Sequence, residues 1–320
     1  MADRTVVSLV RCRDYEPERV AEAIERHFRL LGGIERFVKP GDRVLLKPNF
    51  IAPRSHRQDA TQTHPAVILA AARFLKDFGA RPFVGDSPGW GDVQSCAEAL
   101  QLVEPLKRLG VPLRQLDRPT MRRVREGGPR VGLSAVALEA DVIINLPKLK
   151  AHGQLLVTLA VKNMFGCVSG KRKALWHYRY GGDSARFCRL LIDICYFLRP
   201  ALTLIDGIVA MERTGPSRGV SKPLGWLIGG TDPLSCETVC CRLLGINPGQ
   251  VPLLRAASRM QFDGLDLDRI ELVGDPPGEP CSDFELPTLA PIRFSLCRVL
   301  RSKLRQMWLL ARRPKLTSST

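Results

Sequence analysis

Short apolar runs alternate along this chain with stretches of helical period, and several runs end in polar residues. Val44-Leu45-Leu46 is followed by Lys47-Pro48-Asn49, and "VGDSPG" closes on Gly85-Asp86-Ser87. Val142-Ile143-Ile144 leads into Asn145-Leu146-Pro147-Lys148, and "LTLID" ends at Asp206-Gly207. A short continuous apolar run bounded by turn residues reads as a strand buried on both faces. Helical spacing fills the intervals over residues 18–31, 64–79, 94–109, 183–198 and 233–244. Further strands are expected in "VPLRQLD", "PLGWLIGG" and "DRIELVG". The alternation predicts an α/β fold with mixed, mostly parallel sheets, flanking helices and two lobes.

The expected division is an N-terminal α/β lobe over residues 1–119 and a C-terminal α/β lobe over 120–275. A Pro-rich linker over 276–291 and a basic amphipathic helix and tail over 292–320 complete it. A hydrophobic content of 45% leaves ample material for a core. The net charge is +16, but the chain beyond Leu286 holds eight basic residues and no acidic one, so half of the excess lies there. The modest remainder fits an anionic ligand or a generally basic surface. The acidic residues among the first thirty argue against a signal peptide. No run of about eighteen apolar residues offers a spanning helix. These features predict a cytoplasmic protein, peripheral at a membrane if the tail engages one. Ten cysteines are scattered without a C-x-x-C pair, which predicts reduced, buried thiols.

In open α/β sheets, ligands bind beyond the carboxyl ends of the strands. The polar strand ends therefore nominate Lys47, Asn49, Asp86, Ser87, Asn145, Lys148 and Asp206, and Lys150 follows closely. His64 opens a helix in "THP", where it can cap or face a ligand, and His27 on a charged helix is expected at the surface. Lysine at a strand end suits phosphate or carboxylate, although a lone lysine is more often solvated. Lys162 lies in "LLVTLAVKNMFG", expected as a helix over 155–165 with Asn163 as a polar neighbour. A lysine among apolar residues is paired, deprotonated or functional, unless its stem only covers apolar surface. His152 and His177 flank it; imidazole titrates near neutrality and serves as acid, base or metal ligand. The intervening "CVSGKRKALWHYRYGG" is basic and aromatic and is read as a lid over a small anionic substrate, with nucleic-acid contact as the alternative.

Together "VLLKPNF", "THPAVI", "VGDSPG", "ADVIINLPKLKAHG", "TLAVKNMFGCVSG", "DGIVAMERTGP" and "GGTDPLSCETVCCRLLGINP" resemble the domain-of-unknown-function 362 family over residues 5–275. The resemblance implies an α/β fold. Many relatives carry an appended ferredoxin-like cluster domain and are labelled iron–sulfur proteins. The tail here has no C-x-x-C-x-x-C run, so no iron–sulfur cluster of its own is expected. The order His152, Lys162, His177 is more distantly similar to the lactate-racemase family. That similarity implies Lys162 as anchor of a nickel-pincer pyridine cofactor, His177 as metal ligand and His152 as acid/base. The glycine-rich stretch before that lysine is replaced here by "LVTLAVKN".

Three readings follow. The first is an enzyme of racemase-like or oxidoreductase-like type, binding a small anionic molecule in an inter-lobe cleft. It would use His152, Lys162 and His177 for acid–base or hydride-type chemistry, with a metal or pyridine-type cofactor left open. The second is a redox or metal-handling protein that works with a partner protein. The third is a nucleic-acid or membrane-surface binding module using the 167–182 loop and the tail, where Leu296, Val299, Leu300, Leu304 and Met307 keep helical spacing against a basic face.

Overall fold

The computed structural model describes residues 5–55, 60–170 and 172–292. The chain opens with β1 (Thr5–Arg11) and α1 (Pro17–Leu30), then β2 (Arg43–Pro48), α2 (Pro65–Asp77) and β3 (Arg81–Asp86). Next come α3 (Val93–Ala99), α4 (Val103–Arg108), β4 (Leu113–Gln115), β5 (Pro119–Arg123), β6 (Arg130–Ser134) and α5 (Ala135–Leu138). The middle holds β7 (Val142–Leu146), β8 (Lys148–His152), β9 (Leu156–Thr158), α6 (Ala160–Met164), α7 (Arg172–Tyr180) and α8 (Ser184–Leu198). Then follow β10 (Leu202–Glu212), β11 (Val220–Gly230), α9 (Pro233–Leu243), α10 (Pro252–Arg259) and β12 (Ile270–Gly274).

One large sheet runs in the order β12-β1-β11-β10-β7-β2-β3-β4, with β8 and β9 branching from β10. Pairing is parallel through β10-β7-β2-β3-β4 and antiparallel where β11 meets β1 and β10. The fold is thus mixed α/β with a mostly parallel sheet and flanking helices. Strands from both sides of residue 120 share this one sheet. Helices α1 to α4 pack their apolar stripes on one face. Helices α6, α8, α9 and α10 cover the other. Covering both faces explains why the central strands are almost wholly apolar up to their carboxyl ends.

Three local expectations change. The helix expected over 94–109 is two helices, because Gln101 adopts a left-handed φ of 56° between them. The helix expected over 155–165 begins as β9, which pairs antiparallel with β8, and only then becomes the short α6. β-branched Val157 and Thr158 favour that strand. The expected lid over 167–182 contains a nine-residue helix, α7.

His27, expected at the surface, is fully buried, with Nδ1 2.6 Å from Ser8 Oγ. Burial pushes its imidazole down to about 3. All nine cysteines among the described residues are free thiols, and eight are buried.

The Pro-rich segment lies along the body. Cys281 N donates to Leu243 O, Ala290 N to Gly153 O, and Phe284 and Ile292 are buried. Apart from Ile292, the expected basic tail helix lies outside the described residues.

Candidate functional site

Strand register alone assembles the centre of the site. Lys47 at the end of β2 pairs with Asn145 of β7, and Asn145 pairs with Thr203 of β10. Asp206, three residues further along β10, pairs with Lys148 of β8. Strands β2-β3-β4 extend one way from the β2–β7 boundary, and β10 and β11 extend the other. That reversal of winding direction opens a crevice at the carboxyl ends. The nominated residues cluster there, but as a closed network rather than an open cleft: Lys47, Asp86, Ser87, Asn145, Lys148, Lys150, Asn163 and Asp206 are all buried. Two cavities elsewhere, of about 170 Å³ beside Trp226 and about 480 Å³ beside Tyr196, share no residue with it.

Two buried ion pairs anchor the network. Lys47 Nζ lies 2.8 Å from Asp86 Oδ1 and 2.6 Å from the Pro48 carbonyl. Asp86 also accepts from Phe50 N at 2.8 Å and Ser87 N at 2.6 Å. Lys148 Nζ lies 2.9 Å from Asp206 Oδ2 and donates to the Tyr15 hydroxyl at 2.6 Å. Tyr15 donates in turn to Asp206 Oδ1 at 2.8 Å, and His64 N donates to Asp206 Oδ2 at 3.0 Å. Burial lowers the Lys148 ammonium and Asp206 opposes that. Burial and the same carboxylate push the Tyr15 phenol well above its ordinary value. The His64 ring caps α2, accepting from Ala66 N at 3.2 Å, and stacks on Tyr15 at 3.6 Å. Asp206 therefore holds a lysine, a tyrosine and the His64 backbone amide together.

A directed chain of amides joins Lys150 to the β2 strand end at Lys47. Lys150 Nζ donates to Asn49 Oδ1 and, at 2.6 Å, to the Thr61 carbonyl. Asn49 Nδ2 donates to Asn163 Oδ1 at 3.1 Å. Asn163 Nδ2 donates to Asn145 Oδ1 at 2.8 Å and to the Lys47 carbonyl at 3.0 Å. Asn145 Nδ2 ends the chain on the Ala160 carbonyl at 3.0 Å. Each amide is fixed in orientation by its neighbours, so the network is rigid.

Lys162, on α6, differs from the other lysines. Its Nζ lies 4.8 Å from the centre of the Phe165 ring, and among the described residues it has no ion pair or hydrogen bond. Burial, with the charges of Lys173 and Lys47, lowers it to about 8, against the pull of Asp86. Lys173 of α7 donates to the Ser87 carbonyl and is lowered to about 8, chiefly by burial. Glu237 of α9 accepts from Val161 N at 2.8 Å at the start of α6, and burial raises it to about 8.

His152 is buried, and its Nδ1 accepts from Gln154 N at 3.1 Å. Burial and then the charges of Lys162, Lys150 and His177 hold it well below its ordinary range. His177 packs against Phe187 at 4.5 Å and Phe165 at 5.8 Å, and it bonds to the Ile292 backbone. Burial and Lys162 lower it to about 3. The two imidazoles and the Lys162 amine are thus within electrostatic reach of one another, and both rings are neutral at neutral pH. The chain at 290–292 runs past both: Gln154 Nε2 donates to the carbonyls of Pro291 and Ile292 at 3.0 and 3.1 Å. Among the described residues no group of three or more His, Cys, Asp or Glu side chains could hold a metal ion.

Sequence reasoning did not nominate Tyr15, Lys173, Glu237 or Gly166. A Cβ on Gly166 would lie 2.6 Å from both Asp86 Oδ1 and Lys47 Nζ, so only glycine fits against that ion pair. For Glu237 a signal existed: it is the one acid in an otherwise uncharged stretch, "PLSCETVCC".

Three likenesses bear on this chain. The family model described as a domain of unknown function (DUF362) matches residues 44–242. A thylakoid-associated protein of Synechocystis sp. is 36% identical over 304 residues, covering 95% of this chain and 94% of that relative. The lactate racemase apoprotein from Thermoanaerobacterium thermosaccharolyticum superposes with a TM-score of 0.44 and 13% identity, covering 74% of this chain and 57% of the racemase.

Proposed function

The chain belongs to the domain-of-unknown-function 362 family, and from that premise we propose that it is an enzyme acting on a small anionic substrate. The observation that supports this most is a charge imbalance. Among the described residues Lys47 and Lys148 are each matched by a carboxylate, Asp86 and Asp206, whereas Lys162 and Lys173 lie close by with no ion pair of their own. Unbalanced positive charge on half-buried side chains is costly, and a carboxylate or phosphate near Lys162 would offset it. An amine lowered to about 8 gives up and regains a proton readily near neutrality. The reaction class is proton transfer at a carbon beside the anionic group. Lys162 is the proton carrier, His152 and His177 are the neutral acceptors, and Lys173 helps to fix the anion.

A thermal-shift screen of the full chain over small carboxylates and inorganic phosphate tests the proposal. At least one anion raises the melting temperature of the wild type and not of Lys162→Met. No stabilising anion, or equal stabilisation of the variant, would overturn it.

A second reading concerns location: the protein works at a membrane surface without crossing it. The thylakoid association of the Synechocystis relative supports this. No helix among the described residues is long and apolar enough to cross a membrane.

A further inference from the structure

The β5–β6 ribbon stands apart from the main sheet as a two-stranded unit. Its register sets Met121 opposite Gly132 and Arg123 opposite Arg130. Paired residues, and those two apart along a strand, share a face. Met121, Arg123 and Arg130 therefore project together. The Gly132 position on that face is covered by α7: a Cβ there would meet Arg172 Cδ at 2.8 Å. Ribbon and helix thus form one continuous surface.

Helix α7 is two-sided. Trp176 and His177 are buried, while Arg172, Leu175, Tyr178 and Arg179 face solvent. Spacings of three and four residues align Arg172, Leu175 and Arg179 on one stripe. Leu175 is 57% exposed, Met121 47% and Tyr178 42%, placing on this patch three of the five exposed large apolar side chains found among the described residues. Over residues 119–134 and 172–180 the sequence has seven basic residues and one acidic residue, Glu126. Two of the seven are engaged inward or sideways, Lys173 on Ser87 and Arg125 on Asp193. Arg123, Arg130, Arg172 and Arg179 have no ion pair among the described residues. The last described residue, Ile292, is bonded to His177 of the same helix.

We propose that the β5–β6 ribbon and the outer stripe of α7 form a docking surface for an anionic lipid bilayer. Arg123, Arg130, Arg172 and Arg179 would meet headgroups, and Met121, Leu175 and Tyr178 would enter the interface. The inference rests on the membrane-surface reading above and names the face that performs it. Alternating cationic and apolar side chains match a surface that is negative outside and hydrocarbon just beneath. Helix α7 also carries Lys173 and His177 inward, so the same helix borders the bilayer and the candidate site.

The test is flotation of the full chain with two kinds of vesicle. One is phosphatidylcholine alone and the other is equal parts of phosphatidylcholine and phosphatidylglycerol. The wild type floats with the second and not the first, and added salt releases it. The variant Arg123→Glu/Arg130→Glu/Arg179→Glu loses at least about a hundredfold in partitioning. Lys107→Glu/Arg108→Glu, on exposed α4, behaves as wild type. Met121→Ser/Leu175→Ser, which changes no charge, weakens binding as well, and provides the test should the charge reversals fail to fold. A wild type that floats with neither vesicle, or that binds only an RNA oligonucleotide, would remove the membrane reading itself. A wild type that floats, with both patch variants floating equally, would overturn only this face.

Discussion

Lys47 and Asp86 form a buried ion pair at 2.8 Å whose flank is kept open by the missing side chain of Gly166. The lysine ends β2 and the aspartate ends the adjacent β3, so the pair locks together the carboxyl ends of two parallel strands. Asp86→Asn leaves a buried ammonium without its counter-charge and is expected to cost about 3–5 kcal/mol in chemical denaturation. Gly166→Ala forces a methyl group between the partners and lowers stability in the same direction. A loss below about 1 kcal/mol in both variants would mean that the pair does not carry the strand ends.

Lys162 predicts opposite effects on stability and binding. Its folded-state value, about 8, lies below the ordinary 10.5. Between those values the unfolded chain holds more protons, so stability rises with pH across that window. Lys162→Met removes the cost of burying the charge. The melting temperature at pH 7 therefore rises while anion stabilisation is lost. Melting curves from pH 7 to 11 check this; a variant less stable than wild type at pH 7 would contradict it.

Glu237 has the converse sign. Its carboxyl is raised from 4.5 to about 8, so the folded chain holds the proton and stability falls as pH climbs through that range. Glu237→Gln keeps a neutral acceptor for Val161 N and flattens that fall. Glu237→Ala leaves the Val161 N–H unpaired within the core and destabilises at every pH, by about 1–3 kcal/mol for the lost partner. Denaturation midpoints of both variants at pH 5 and pH 8 separate the two effects.

Tyr15 holds Lys148, Asp206 and Val209 through one hydroxyl. Tyr15→Phe preserves the stack on His64 but strips those bonds. A loss of about 2 kcal/mol is expected, with the wild-type fold retained by circular dichroism.

The strand ends were legible because a buried parallel sheet needs uninterrupted apolar runs, and the polar residues that stop those runs must lie at the rim. Lys47, Asp86, Asn145 and Asp206 were read from that rule, and register brought them together. Lys162 was legible as a lysine among apolar neighbours. Its local structure was not, because helical spacing in "LLVTLAVKN" concealed the strand that β8 imposes on residues 156–158. Tyr15 was missed because its partners lie far along the chain, Lys148 by 133 residues and Asp206 by 191. Lys173 was counted with a lid, whereas α7 turns it inward onto Ser87.

The surplus of positive charge around the half-buried Lys162 is most directly tested by calorimetric titration of the full chain with the anion that stabilises it best, between pH 6.5 and 9.5. Affinity should fall as pH rises through about 8 in the wild type, as Lys162 loses its proton. In Lys162→Met it should be weak, with less of that fall. Tight binding that is the same in both proteins at every pH, or no binding of any anion, would contradict the account.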